Sequence, residues 1–276
     1  MSVTSTSRRV ASAAAVVAVG LALAACGSSR DGSPGAGPGA PEPGTSASVP
    51  RLSGTVTVLA AASLTDSFTE LGRVFEHAHP GVTVRFDFGG SSSLARSIVS
   101  GAPADVFAAA DTRTMRTVTD AGAVDGVPEV FARNRLEIAV PTGNPAHVRA
   151  LADLARPEVK VALCAPQVPC GAAAERALAA GGVTLTPVTL EQNVKGALTK
   201  VVLGEVDAAL VYRTDVNSAR GSVRGIDFAQ SEQAVNDYPI ALLDKAPNAV
   251  GARAFIALVE SAEGHRVLTA AGFQKS

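Results

Sequence analysis

Apolar and polar residues alternate at Thr55-Val56-Thr57-Val58 and again at Val82, Val84, Phe86 and Phe88, which predicts two strands. Between them Leu64, Phe68, Leu71 and Phe75 recur at helical spacing, and His79-Pro80-Gly81 ends that helix. Gly89-Gly90 breaks the second strand, and Leu94 and Ile98 mark a short helix. Further strands are predicted at 105–108, 136–140, 160–163, 207–212, 223–228 and 240–243, and helices at 172–180, 194–203, 252–260 and 264–271. Strands alternating with helices predict an α/β fold whose sheets are mostly parallel and covered by helices. The 223 residues from 54 to 276 suit a division into two lobes around a cleft.

The chain before residue 54 reads differently. Arg8 and Arg9 precede an uncharged run from Val10 to Ala25, the pattern of a secretory signal peptide at 1–25. The run is shorter than the roughly 20 residues a spanning helix needs. Leu23-Ala24-Ala25-Cys26 resembles a bacterial lipobox, which makes Cys26 the lipidated N-terminus of the mature protein. Residues 27–50 hold 6 Gly, 5 Pro and 5 Ser, so 26–53 is expected to be a flexible, lipid-anchored tether. A coil of that length spans about 25–30 Å between its ends.

Composition narrows the function. The 24 basic and 25 acidic side chains leave a net charge of −1, without the basic excess of a nucleic-acid binder. Losing Arg8 and Arg9 with the signal takes −1 to −3. Trp is absent and only two Tyr are present, which weakens the case for an aromatic-lined sugar or nucleobase site. Three Cys without a Cys-x-x-Cys pair, and four His, leave little for a zinc cluster. Asp105 and Asp111 flank a strand end and are expected to orient backbone.

Four strand-to-helix junctions share one chemistry. Ser63 is expected to cap a helix, with Asp66 three residues on. Gly89-Gly90 lets backbone approach a ligand closely, and Ser91-Ser92-Ser93 opens the next helix. Val168-Pro169-Cys170-Gly171 and Gln192-Asn193-Val194-Lys195-Gly196 open two more. A helix start offers unpaired N–H groups and a partial positive charge, so a cluster of them binds an anion without Arg or Lys. In an open α/β sheet, ligands sit off the carboxyl ends of the strands, where all four junctions fall.

These motifs carry a family resemblance. Val58-Leu59-Ala60-Ala61-Ala62-Ser63-Leu64-Thr65, Ser91-Ser92-Ser93-Leu94-Ala95-Arg96 and Gly101-Ala102-Pro103-Ala104-Asp105-Val106-Phe107 resemble the molybdate-binding proteins of ABC importers. So do Val168-Pro169-Cys170-Gly171, Val194-Lys195-Gly196-Ala197-Leu198, Val211-Tyr212, Tyr238-Pro239 and Gly272-Phe273, in order from about residue 55 to the end. The resemblance implies a two-lobed type II periplasmic-binding-protein fold, with 54–134 plus 240–276 as lobe I and 135–239 as lobe II. It implies an oxyanion, molybdate or tungstate, held by hydroxyl and N–H of Ser63 and Ser91, by N–H of Cys170 and Val194, and by the hydroxyl of Tyr212. Cys170 stands where the family usually has Ala. No cofactor, direct metal ligand or catalytic residue is implied.

Three further expectations follow from that reading. The protein is a monomer on the outer face of the cytoplasmic membrane, it hands its anion to a permease and ATPase, and Lys195 and Arg213 point away from the site. Cys164 and Cys170, six residues apart in an exported chain, suit a disulfide; two buried thiols are the alternative. Two rival functions stay open. One is the same fold tuned to another oxyanion such as sulfate. The other is a secreted serine hydrolase using Ser91 or Ser63, although no Gly-x-Ser-x-Gly elbow is present.

Overall fold

A computed structural model describes residues 51–276; the expected signal peptide at 1–25, lipidation site Cys26 and tether up to residue 50 lie outside the described residues. In chain order come β1 (Gly54–Ala61), α1 (Thr65–Ala78), β2 (Val82–Gly89), α2 (Ser91–Val99), β3 (Val106–Ala108), α3 (Thr112–Asp120), β4 (Val124–Asn134), β5 (Leu136–Pro141) and β6 (Val161–Cys164). Then follow α4 (Pro169–Gly181), β7 (Thr189–Glu191), α5 (Val194–Val202), β8 (Ala208–Tyr212), α6 (Arg213–Ser218), β9 (Val223–Ile226), β10 (Asn236–Leu243), α7 (Ala249–Glu260) and α8 (Ala262–Ala271).

The strands form two five-stranded sheets, ordered β2-β1-β3-β10-β4 and β7-β6-β8-β5-β9. In the first, β10 runs antiparallel to both β3 and β4, so it alone opposes the other four. In the second, β5 runs antiparallel to β8 and β9 and is likewise the one reversed strand. Each sheet is therefore mixed, with the parallel set that the alternation predicts and one reversed strand. The two reversed strands adjoin the passages between sheets: β4 leads through Arg135 into β5, and the chain returns from β9 into β10.

Each sheet has its own core. Around the first, Phe255 meets Phe68 edge-on at 5.9 Å and Phe75 at 5.6 Å, tying α7 and α1 together. Around the second the core is aliphatic, from Leu136, Ile138, Val161, Leu198 and Leu210. Every residue of β8 is buried, as befits an inner strand covered on both faces. The first sheet with its helices is called lobe I below, and the second lobe II.

Several elements differ from the sequence pattern. β4 was not expected: Gly126 and Pro128 interrupt it, most of its first half is exposed, and its pairing with β10 is bulged. Helix α3 carries only Met115 and Val118 on its buried apolar face, too few for a clear period. Ser63 is not a helix cap. It lies in a 3-10 turn, Ala62–Leu64, and α1 starts after Leu64 without a side-chain cap. Asp105 and Asp111 do orient backbone. Asp105 accepts from Thr57 N and Asn248 N at 2.7 and 2.6 Å, and Asp111 caps α3 through Thr114 N at 2.7 Å.

Candidate functional site

One cavity between the two sheets is lined by Ala61, Ala62, Ser63, Gly89, Gly90, Ser91, Ala110, Val168, Pro169, Cys170, Gln192, Asn193, Val194 and Tyr212. Ser63, Ser91, Cys170, Val194 and Tyr212, the five residues singled out in the sequence, all face it. They meet because β1, β2, β6, β7 and β8 end there, and every one of them is buried. The space open to the centre of a water-sized sphere is about 20 Å³, far below the roughly 300–1,000 Å³ of sites for drug-sized ligands, so only a group of a few atoms fits.

The lining is rich in donors. Ser91 is the first residue of α2, Cys170 the second of α4 and Val194 the first of α5. Their N–H groups lack intrahelical acceptors by position. Gly90 and Val168, at the N-caps of α2 and α4, supply no side-chain cap, so both helix starts are left for a ligand. Asn193 caps α5 by accepting from Gly196 N at 3.0 Å. Cys164, ending β6, and Cys170 are joined by a disulfide, which fastens the start of α4 to the strand end beneath it. Gly171 packs against that same strand end, beside Ala165 O.

A polar layer behind the lining was missed in the sequence. Ser63 Oγ lies 2.9 Å from Tyr238 Oη, Ser91 Oγ accepts from Ala110 N at 3.0 Å, and Tyr212 Oη accepts from Asn236 Nδ2 at 2.8 Å. Burial pushes the phenols of Tyr212 and Tyr238 well above their ordinary value, so both stay protonated at neutral pH. Among the described residues, neither serine hydroxyl is hydrogen-bonded to a histidine or a carboxylate. A nucleophilic serine needs such a base.

The rims of the cavity touch across the cleft. Ser92 Oγ of lobe I donates to Gln167 O of lobe II at 2.9 Å, and Arg113 Nη2 donates to the same oxygen at 3.2 Å. Gly90 packs so close to Gln192 that a Cβ there would sit 2.3 Å from its carbonyl oxygen. Arg213 points away, paired with Glu137 at 3.1 Å and Asp227 at 3.9 Å. Lys195 stays out of the cavity but reaches over its rim. Its Nζ lies 3.4 Å from Asp66 of lobe I, 2.7 Å from Ser218 Oγ and 3.6 Å from Asp215. Asp215 is fully buried, and burial raises its carboxyl to about 6 against the pull of Lys195. It holds the end of β8 by accepting from Tyr212 N at 3.2 Å.

The sequence profile described as "Bacterial extracellular solute-binding protein" matches residues 56–274. The chain is 44% identical over 221 residues to the molybdate-binding protein ModA of Mycobacterium tuberculosis, covering 80% of this chain and 85% of that protein. It is 30% identical over 234 residues to the protein of the same name from Escherichia coli, covering 80% and 89%. Among solved structures, the periplasmic molybdate-binding protein of Azotobacter vinelandii superposes with a TM-score of 0.70. That match covers 80% of this chain and 99% of the other at 19% identity, a likeness of fold.

Proposed function

The chain belongs to the bacterial extracellular solute-binding proteins, and from that premise we propose that it captures molybdate, and tungstate with it, between its lobes for delivery to the permease and ATPase of an ABC importer. The observation that carries the reading is the convergence of Ser63, Ser91, Cys170, Val194 and Tyr212 on one small, buried cavity. These residues supply hydroxyl and backbone hydrogens and no carboxylate. Molybdate near pH 7 is a tetrahedral dianion without a proton, so each of its oxygens accepts. The helix starts add attraction without a buried cation. Binding, not catalysis, is the role of the family, and a pair of hydroxyls without a base suits it.

Lobe I, residues 54–134 with β10 and the chain after it, and lobe II, the chain between, act in this reading as two bodies that close on the anion; the expected boundary at 239/240 moves to the start of β10 at Asn236. The test is a calorimetric titration at pH 7. Molybdate and tungstate are expected to bind far more tightly than sulfate, whose smaller tetrahedron leaves donors out of reach. Phosphate still carries a proton at that pH, and its burial against donors costs about 1–3 kcal/mol, so no measurable binding is expected. Ser63→Ala and Ser91→Ala each remove a hydrogen bond to a charged partner worth about 1.5–3 kcal/mol, a loss of roughly 10–150-fold in affinity. Phosphate binding on a par with molybdate would sink the site assignment.

Cys26 is the proposed anchor, placing a monomer at the outer face of the cytoplasmic membrane on its Gly/Pro/Ser tether. Cys26→Ala is expected to release the protein from the membrane fraction or to block signal cleavage. An intact mass showing unmodified Cys26 in membrane-bound protein would refute the anchor.

A further inference from the structure

The direction of the hydroxyl hydrogens can be read from the groups behind them. Asn134 and Asn236 face each other as register partners of β4 and β10, and both are buried. Asn236 Oδ1 accepts from Arg176 Nη2 at 2.6 Å. A guanidinium only donates, so the amide oxygen has to be the end that meets it. The NH₂ end then faces Ala110 O at 2.9 Å, Tyr212 Oη at 2.8 Å and, more distantly, Pro169 O at 3.4 Å. Carbonyls only accept, which fixes the same orientation a second time. The two amide hydrogens go to the two nearest acceptors, Ala110 O and Tyr212 Oη.

Tyr212 Oη is thereby an acceptor toward Asn236, and its own hydrogen is left for the cavity that Tyr212 lines or for the neighbouring phenol of Tyr238. The neighbouring phenol, Tyr238, is fed in the same way. Asn134 Oδ1 accepts from Arg135 N at 3.0 Å, leaving Nδ2 to face Thr214 Oγ1 at 2.9 Å and Tyr238 Oη at 3.4 Å. Tyr238 meets Ser63 Oγ at 2.9 Å, so a hydrogen that Tyr212 gave to Tyr238 would be passed through Ser63 to the same cavity. Ser91 Oγ is already occupied by Ala110 N from behind. Among the described residues, no carbonyl or carboxylate takes a hydrogen from any of these four hydroxyls.

We propose that Asn236, clamped by Arg176, is a positioning residue that turns the Tyr212 hydroxyl into a fixed donor and so makes the cleft select proton-free tetrahedral dianions over anions that still carry a proton. The inference rests on the oxyanion reading above and adds the residue that enforces it. Asn236→Asp keeps the shape but replaces the NH₂ with a second acceptor. Tyr212 would then donate to Asp, and its lone pair would be turned toward the anion.

The experiment is competition calorimetry on the full chain at pH 7 with molybdate and phosphate. Asn236→Asp is expected to weaken molybdate by about 100-fold, near the top of the range for a lost charged hydrogen bond. Phosphate, not measurably bound by the wild type, should become a measurable competitor, since the turned hydroxyl now accepts the phosphate proton. Arg176→Met, which removes one of the two holds on the amide and leaves only Ala110 O, should cost molybdate roughly 3–30-fold. In a Tyr212→Phe background, Asn236→Asp should add less than about threefold, as a double-mutant cycle requires of two groups acting through one hydrogen. Should Asn236→Asp fail to fold, Arg176→Met decides alone. Variants within twofold of wild type for molybdate, or an Asn236→Asp protein that loses molybdate and still shows no phosphate competition, would overturn the role of Asn236 while leaving the oxyanion reading intact. A wild-type chain that takes up no molybdate would overturn that reading and this one with it.

Discussion

Gly90→Ala is expected to weaken anion capture by about 5–150-fold while leaving the melting temperature unchanged or slightly raised. The added Cβ would lie 2.3 Å from Gln192 O, on the opposite side of the cleft. Overpacking of this kind costs about 1–3 kcal/mol, and here it falls only on the closed arrangement, because opening the cleft removes it. The fold itself has no objection. Gly90 sits at φ −65° and ψ 123°, where alanine is comfortable, and fewer unfolded conformations favour the native state by about 0.4–1 kcal/mol. Titration beside thermal unfolding separates the two effects. A Gly90→Ala protein with wild-type affinity would mean that capture does not bring Gly90 against Gln192.

Gly171→Ala should damage both properties. Its Cβ would sit 1.9 Å from Ala165 O, 2.5 Å from Ala165 C and 2.7 Å from Cys164 O. All three atoms are backbone of the same lobe, so no opening of the cleft relieves the clash. The start of α4 has to shift, against the Cys164–Cys170 bridge that fastens it, and the Cys170 N–H moves with it. A cost of about 3 kcal/mol, the upper end for overpacking, lowers the melting temperature of a domain this size by about 6–12 °C. Affinity should fall by at least tenfold through the displaced donor. Wild-type melting of Gly171→Ala would show that the helix start is not seated against Ala165.

The contrast between these glycines marks how far the sequence could be read. The motif around Cys170 and Gly171 is local, and its chemistry is visible in a few consecutive residues. The strands and helices with clean periods, such as β1 with α1, were equally plain. β4 was not, since Gly126 and Pro128 break its alternation and its apolar residues crowd into one end. Asn134 and Asn236 carry no such signal, and Tyr238 stands out only through the Tyr238-Pro239 motif, which says nothing of its partners. They are polar residues on strands that run between the lobes, and only the pairing of β4 with β10 reveals what each one touches. Ser63 lines the cavity, but not as the helix cap its sequence suggests: its hydroxyl answers to Tyr238 and not to a helix start. Lys195 shows the same limit. Its outward direction was legible, but its partner Asp66 lies 129 positions away.

The placement of β10 has a bearing on how the molecule comes into being. It is the last strand to be made, yet it is inserted between β3 and β4, inside the first sheet. Until residue 243 has emerged, β3 and β4 present bare edges with a strand-wide gap between them. The second sheet has all its strands by residue 226. Synthesis from the N-terminus therefore leaves the leading lobe unfinished until nearly the whole chain is available, and closing it joins residues far apart in sequence, an intrinsically slow step. The half of the molecule that is made first is thus the half that is completed last.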